Sequence, residues 1–240
     1  MADQTKIHQG EYHTQHIGPQ LNRLRAAVLG ADDGIVSISG LVVGVAGATK
    51  STSIIFTAGL AGLISAALSM AAGEYVSVSS QRDTERAMLA RERYELKHYP
   101  KAELEELAGL YEQKGLSEAT ARQVARELSA KDAPAAHFDA ELGIDPDQLT
   151  SPWQAAVASA ISFTIGAALP LATITLLPKS SRVPLTFVAV IIALAITGVL
   201  AAMAAQTKPL KPTLRMIAGG VLAMVITFGV GHLFHVTTSS

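Results

Sequence analysis

Along the chain, long apolar runs flank one long polar stretch. Five runs are nearly uncharged, at about 26–49, 53–79, 153–177, 183–206 and 216–235. Each reaches the roughly 20 residues that an α-helix needs to cross about 30 Å of hydrocarbon. Two precede the polar stretch and three follow it. The pattern predicts an all-α, polytopic membrane protein with five transmembrane helices and a helical insert between spans two and three. The expected divisions are a tail at 1–24, spans one and two at 25–80, the insert at 81–151, and spans three to five at 152–240.

Helix signals punctuate the insert. Between Gln81 and His98 there is neither Gly nor Pro, so span two is expected to continue as a polar helix. Pro100 suits the first turn of a new helix and Gly115 its end. Ser117 can cap a third helix, whose apolar stripe is Ala121, Val124, Ala125 and Leu128. A short fourth helix from Pro134 to Gly143 places His137 and Glu141 on one face. In the spans, Gly40 and Gly44 have the spacing that allows close helix approach. Pro170 is expected to interrupt span three, Pro178 and Pro184 to bracket a turn, and His232 and His235 to lie at the interface.

Charge is partitioned rather than balanced. Fifteen of the 20 acidic residues fall between Asp83 and Asp147, and none follows Asp147. Of the 19 Lys and Arg, 16 lie on the side of the N-terminus and insert, leaving Lys50, Lys179 and Arg182 opposite. That excess places the N-terminus and the insert in the cytosol. There is no cysteine, which excludes thiolate ligation and disulfides. Residues 1–24 lack an apolar signal core, and Ala2 does not fit the myristoylation pattern. Residues 44–51 superficially resemble a phosphate loop, but Thr49 stands where glycine is required and no strand precedes it. Basic insert residues are interleaved with acids, so no nucleic-acid footprint is expected.

The chemistry concentrates in carboxylates. Glu92 and Glu95 precede Pro100, and Glu103 and Glu106 follow it; each pair is three apart and shares a helix face. Carboxylates gathered without a cation repel one another, so clustering points to a divalent metal, and His137 beside Glu141 shifts the preference toward transition metals. If His137 ligates, affinity falls again near pH 6–7. Within the spans, Asp33 is the better candidate for a pore carboxylate, and a place in the headgroup zone is open to Asp32. Met70 and Glu74 share a face of span two and offer a sulfur–carboxylate relay.

The run Leu29-Gly30-Ala31-Asp32-Asp33-Gly34, the segments Ile64–Met70 and Gly73–Val76, and the Glu-rich insert together resemble the vacuolar iron transporter family, over roughly residues 22–236. The resemblance implies a five-span homodimer that exports Fe²⁺ from the cytosol in exchange for protons along the dimer interface. It also implies metal binding by Glu92, Glu95, Glu103, Glu106 and Glu141, and a pathway through Asp33 and Met70. Two positions depart from plant members. Gly62 replaces an acidic residue about two turns before the methionine, leaving Glu74 as the substitute in proton coupling, and His137 replaces a methionine beside the glutamate of the fourth helix.

The expected function is therefore transport of Fe²⁺, or Mn²⁺ and other divalent transition metals, out of the cytosol by proton antiport. The chain is expected to be a non-enzyme in a bacterial plasma membrane, with lipid, divalent ions, protons and a second copy as partners. The alternatives are a membrane-anchored ferroxidase, suggested by Glu95-x-x-His98 but lacking the second such element of di-iron bundles, and an iron-storage or sensor protein.

Overall fold

The computed structural model describes residues 17–234, which form seven α-helices and no strand. The tail histidines His8, His13 and His16, and His235 at the other end, lie outside the described residues. The helices are α1 (Ile17–Ala48), α2 (Thr52–His98), α3 (Pro100–Gln113), α4 (Glu118–His137), α5 (Pro152–Leu176), α6 (Arg182–Ala204) and α7 (Leu210–Leu233). Five of them, α1, α2, α5, α6 and α7, are long and apolar enough to cross a membrane. The protein is a multi-pass membrane protein. At 47 residues α2 is about 70 Å long, roughly twice what hydrocarbon requires, so its polar half beyond Gln81 extends past the apolar stretch.

The chain divides into two compact units, residues 1–71 with 157–240, and residues 72–156. In the first, the apolar faces of the spans meet around Ile35, Ile38, Val42, Ile55, Phe163, Ile174, Val190, Leu194 and Met224. Small residues set how closely the backbones approach. A Cβ at Gly34 would strike the Phe163 carbonyl and one at Gly166 the Ala31 carbonyl, so α1 and α5 touch backbone to backbone. Gly44 and Gly231 do the same for α1 and α7. The stretch resembling a phosphate loop is thus a helix-packing surface.

Pro170 does not interrupt α5, contrary to expectation: the helix runs through it from Pro152 to Leu176. Proline removes one amide donor, and a transmembrane helix tolerates this when neighbours pack closely and hydroxyls engage nearby carbonyls. Here Pro170 is fully buried, and Thr173 Oγ1 donates to its carbonyl at 3.1 Å.

In the second unit the predicted punctuation appears in place. Pro100 opens α3, Gly115 adopts φ +99 after its end, and Ser117 Oγ caps α4 by accepting from the Thr120 amide. Leu107, Ala108 and Ala125 make a small core between α3 and α4, with Tyr111, Ala136 and Ala140 against it. The separate fourth helix is replaced by a different arrangement. The chain kinks at Asp132, whose Oδ1 accepts from the Ala135 amide at 3.0 Å and so caps the turn that Pro134 enters. Helical structure then runs through His137 into a π-helical turn, Phe138–Leu142, closed by Gly143 at φ +61.

Backbone contact at Gly34 gives the first prediction. Gly34→Val drives a branched side chain into α5 and should lower the melting temperature in detergent sharply, since overpacking costs about 1–3 kcal/mol or more. Gly219→Ala, where an added Cβ meets nothing within 4 Å, should be neutral or stabilising. Fluorescence-detected size-exclusion thermal ramps compare the two, and equal melting temperatures would contradict the close α1–α5 contact.

Candidate metal centre

Three elements of the second unit converge on His137. Glu92 comes from α2 and Glu103 from the first turn of α3, where Pro100 starts the helix and turns this carboxylate inward. His137 ends α4, and Glu141 sits on the π-helical turn. The His137 ring is fully buried, and Glu92 and Glu103 are only 3% and 6% exposed. His137 Nδ1 lies 2.9 Å from Glu92 Oε1, 3.8 Å from Glu103 Oε2 and 3.9 Å from Glu141 Oε2. One donor atom each from Glu92, His137 and Glu141 falls within 4.8 Å of the others, a spacing that can hold a metal ion. Glu141 is the exposed member and opens the group to solvent. Turns of π-helix recur at functional sites because the wider turn re-aims a side chain.

These contacts do not satisfy one another. The 2.9 Å approach of Glu92 is off the line of a ring N–H, so Glu92 Oε1, His137 Nδ1 and His137 Nε2 are all buried without a hydrogen-bond partner. Each unpaired buried polar atom costs about 1–3 kcal/mol, and like-charged carboxylates a few ångströms apart add repulsion. Protons relieve part of this. Burial, reinforced by Glu141, Glu103 and Glu95, pushes the Glu92 carboxyl up to about 7. Burial also raises Glu103, with Glu106, Glu95 and Glu141 adding to the effect. For His137 burial dominates and lowers the pKa, against the attraction of Glu141 and Glu106. The imidazole therefore stays neutral, and able to ligate, further into acid than an exposed histidine.

The other residues expected in the cluster stand around it. Glu95 is half-buried and paired with Arg91 Nε at 3.1 Å, and Glu106 is exposed one turn beyond Glu103. His98 stacks on Tyr94 at 3.9 Å and its Nδ1 lies 2.8 Å from the Tyr94 carbonyl, so it brings no second histidine to the group. In the first unit, Asp33 is exposed and its Oδ1 accepts from Ser37 Oγ at 3.0 Å, while Met70 is half-buried against the core. Glu74, in the second unit, is exposed. Asp32, for which the sequence left a place in the headgroup zone open, is 8% exposed and lies on the inward stripe Val28, Asp32, Ile35, Ser39, Val42. That spacing of four and three was visible in the sequence and marks one helix face.

Fold and site together define a multi-pass membrane protein carrying a buried carboxylate–imidazole group suited to a divalent cation. The sequence matches the model of the VIT family over residues 24–232, and the chain belongs to that family. It is 42% identical to a protein of Acanthamoeba castellanii named vacuolar iron transporter, over 93% of this chain and 83% of that one. It is 37% identical to vacuolar iron transporter homolog 1 of Oryza sativa subsp. japonica, over 88% and 73% of the two chains. Vacuolar iron transporter homolog 2.1 of Arabidopsis thaliana is 34% identical, over 86% and 78%.

A carboxyl held near pH 7 must lose its proton to a metal, which fixes the pH window. Below about 7 Glu92 is mostly protonated and metal must displace that proton, whereas above it the carboxylate is already free. Affinity for Mn²⁺ should therefore fall as pH drops through 7, well above the usual carboxylate range. Titration calorimetry in buffers of different ionisation enthalpy should show about one proton released per metal near pH 6.5 and almost none at pH 8.5. Equal proton release at both pH values would contradict this.

Proposed function

We propose that this chain exports Fe²⁺, and chemically similar divalent ions such as Mn²⁺, from the cytosol in exchange for protons. The observation that carries this reading is the trio of buried, unpartnered atoms on Glu92 and His137, beside Glu103 and Glu141. Oxygen-rich ligation with one imidazole nitrogen suits Fe²⁺ and Mn²⁺ better than a purely soft metal. The relatives' names, vacuolar iron transporter, support the cargo. Glu95 and Glu106 add negative potential at the rim and concentrate cations there. Capture by the insert precedes passage along Asp33 and Met70, with Glu74 at the mouth.

The outer face of α1 supports a homodimer. Asp33 and Ser37 are exposed within a membrane span, and a charge facing lipid costs about 2.5–3.5 kcal/mol on insertion scales. A second copy covers that face and gives Asp33 a polar route instead of lipid. On α2, Thr57, Ala61, Ser65 and Ser69 are exposed, small and four apart, which lets another helix come close. The short loops favour a bacterial plasma membrane, whereas the relatives' names speak of the vacuole. Either membrane keeps the insert on the cytosolic side by the charge rule. We read the chain as a transporter rather than a ferroxidase, because His98 stands apart from the cluster.

Proteoliposomes test this directly. With the wild-type chain, Fe²⁺ should enter when a pH gradient opposes it, and Asp33→Ala should reduce uptake to background while the purified protein still binds Mn²⁺. No uptake by the wild type would overturn the transport reading, and full-rate uptake by Asp33→Ala would remove Asp33 from the route.

A further inference from the structure

Asp32 and Asp33 are neighbours in sequence but lie about 100° apart around α1. Asp33 looks outward, while Asp32 looks into the helix bundle. Close packing holds that orientation: Gly34 and Gly166 press α1 onto α5 on either side, and Gly30 would place a Cβ 3.0 Å from the Ser162 side chain. Neither Asp32 oxygen has a hydrogen-bond partner. The Thr197 hydroxyl of α6 stands close enough to hydrogen-bond Asp32 when it rotates away from the Ala193 carbonyl, to which it donates at 3.1 Å.

Among the described side chains, no positive one offsets this carboxylate. The apolar stretches of α5 and α6 contain no ionisable residue between Trp153 and Leu176 or between Val183 and Ala204. The part of α2 in this unit, Thr52 to Ala71, has none either. On α7 the nearest are Lys211 and Arg215, both exposed, and neither acts on Asp32; His232 belongs to the far end. On α1 itself the adjacent charge is Asp33, of the same sign. An isolated carboxylate in such surroundings is far too costly to persist unaccompanied. One negative charge is balanced by one positive charge, whereas a divalent ion there would leave an equally unpaired excess.

We infer that Asp32, with the Thr197 hydroxyl, is a binding site for a monovalent cation, the counter-ion of the exchange, set inside the protomer and apart from the Asp33 face. This rests on the transport reading for its role, but the binding itself does not. Because Asp32 and Asp33 share one turn of a helix pinned to α5, a charge taken up at one is felt at the other. That proximity links counter-ion to cargo without a long-range relay.

The counter-ion is a proton or a sodium ion, and the test separates them. Thermal stability of the full-length chain in detergent is recorded against Na⁺ at pH 8, and against pH without Na⁺, for wild type, Asp32→Asn and Thr197→Val. Wild type should gain about 2–4 °C for each 1 kcal/mol of binding, with Na⁺ if sodium is the ligand and with falling pH alone if it is the proton. Asp32→Asn should start at a higher melting temperature, having lost an unpaired buried charge, and should lose that response. Thr197→Val should shift the response to higher counter-ion concentration. In proteoliposomes, the ratio of Fe²⁺ flux with and without the matching gradient should fall to about one in Asp32→Asn. Identical responses to Na⁺ and pH in wild type and Asp32→Asn would overturn the inference, whether or not Fe²⁺ moves. A lower starting melting temperature with the response intact would overturn it too, and would make Asp32 a packing residue. Absence of wild-type Fe²⁺ flux beside an intact, Asp32-dependent melting response supports the site and counts against the transport reading alone.

Discussion

Three carboxylates and an imidazole share a space in which water cannot reach most of them. At an effective dielectric near 20, two like charges 4 Å apart repel by about 4 kcal/mol, so the Glu92, Glu103 and Glu141 group resists its own assembly. The second unit has a small apolar core to set against that resistance, among the described residues chiefly Leu89, Leu107, Ala108, Ala121, Ala125 and Phe138. A domain of this size needs an additional tie. Protonation of Glu92 supplies part of it, and a bound cation would supply more. Under the proposed function, loading and folding of the unit would be coupled: a site that costs stability when empty gives that stability back on capture.

The same electrostatic logic explains how the backbone is built around the site. Pro100 fixes the start of α3 and so the position of Glu103. The kink capped by Asp132 redirects α4, bringing His137 beneath Glu92, and the π-helical turn carries Glu141 to within 3.9 Å of the ring. Each device is local. Together they bring four side chains from four elements to one point, which a straight α4 would not achieve.

Much of this was legible in the sequence, and the residues show why. The spans announced themselves by length, and Pro100, Gly115 and Ser117 act where their chemistry predicts. Glu92, Glu103, His137 and Glu141 were all visible as candidates, because acidic pairs three apart and a histidine four from a glutamate have a defined face. Two features were not legible. Pro170 reads as a break in an isolated helix, yet tight packing and the Thr173 hydroxyl let α5 continue. Asp32 reads as a headgroup residue when only its distance from the helix end is counted. Its place on the stripe from Val28 to Val42 carries the better information, and it turns the carboxylate inward. Hydropathy reports depth, whereas periodicity reports direction, and the function of this segment depends on direction.

Whether His137 and its carboxylates hold the divalent cation is decided by pulsed electron paramagnetic resonance of Mn²⁺ bound to the full-length chain. Seven histidines are present in the sequence, so assignment requires a variant. Nuclear modulation from a single imidazole nitrogen is expected in the wild-type spectrum and should be lost in His137→Gln. Modulation that persists unchanged in His137→Gln, or bound Mn²⁺ with no nitrogen coupling at all, would contradict it.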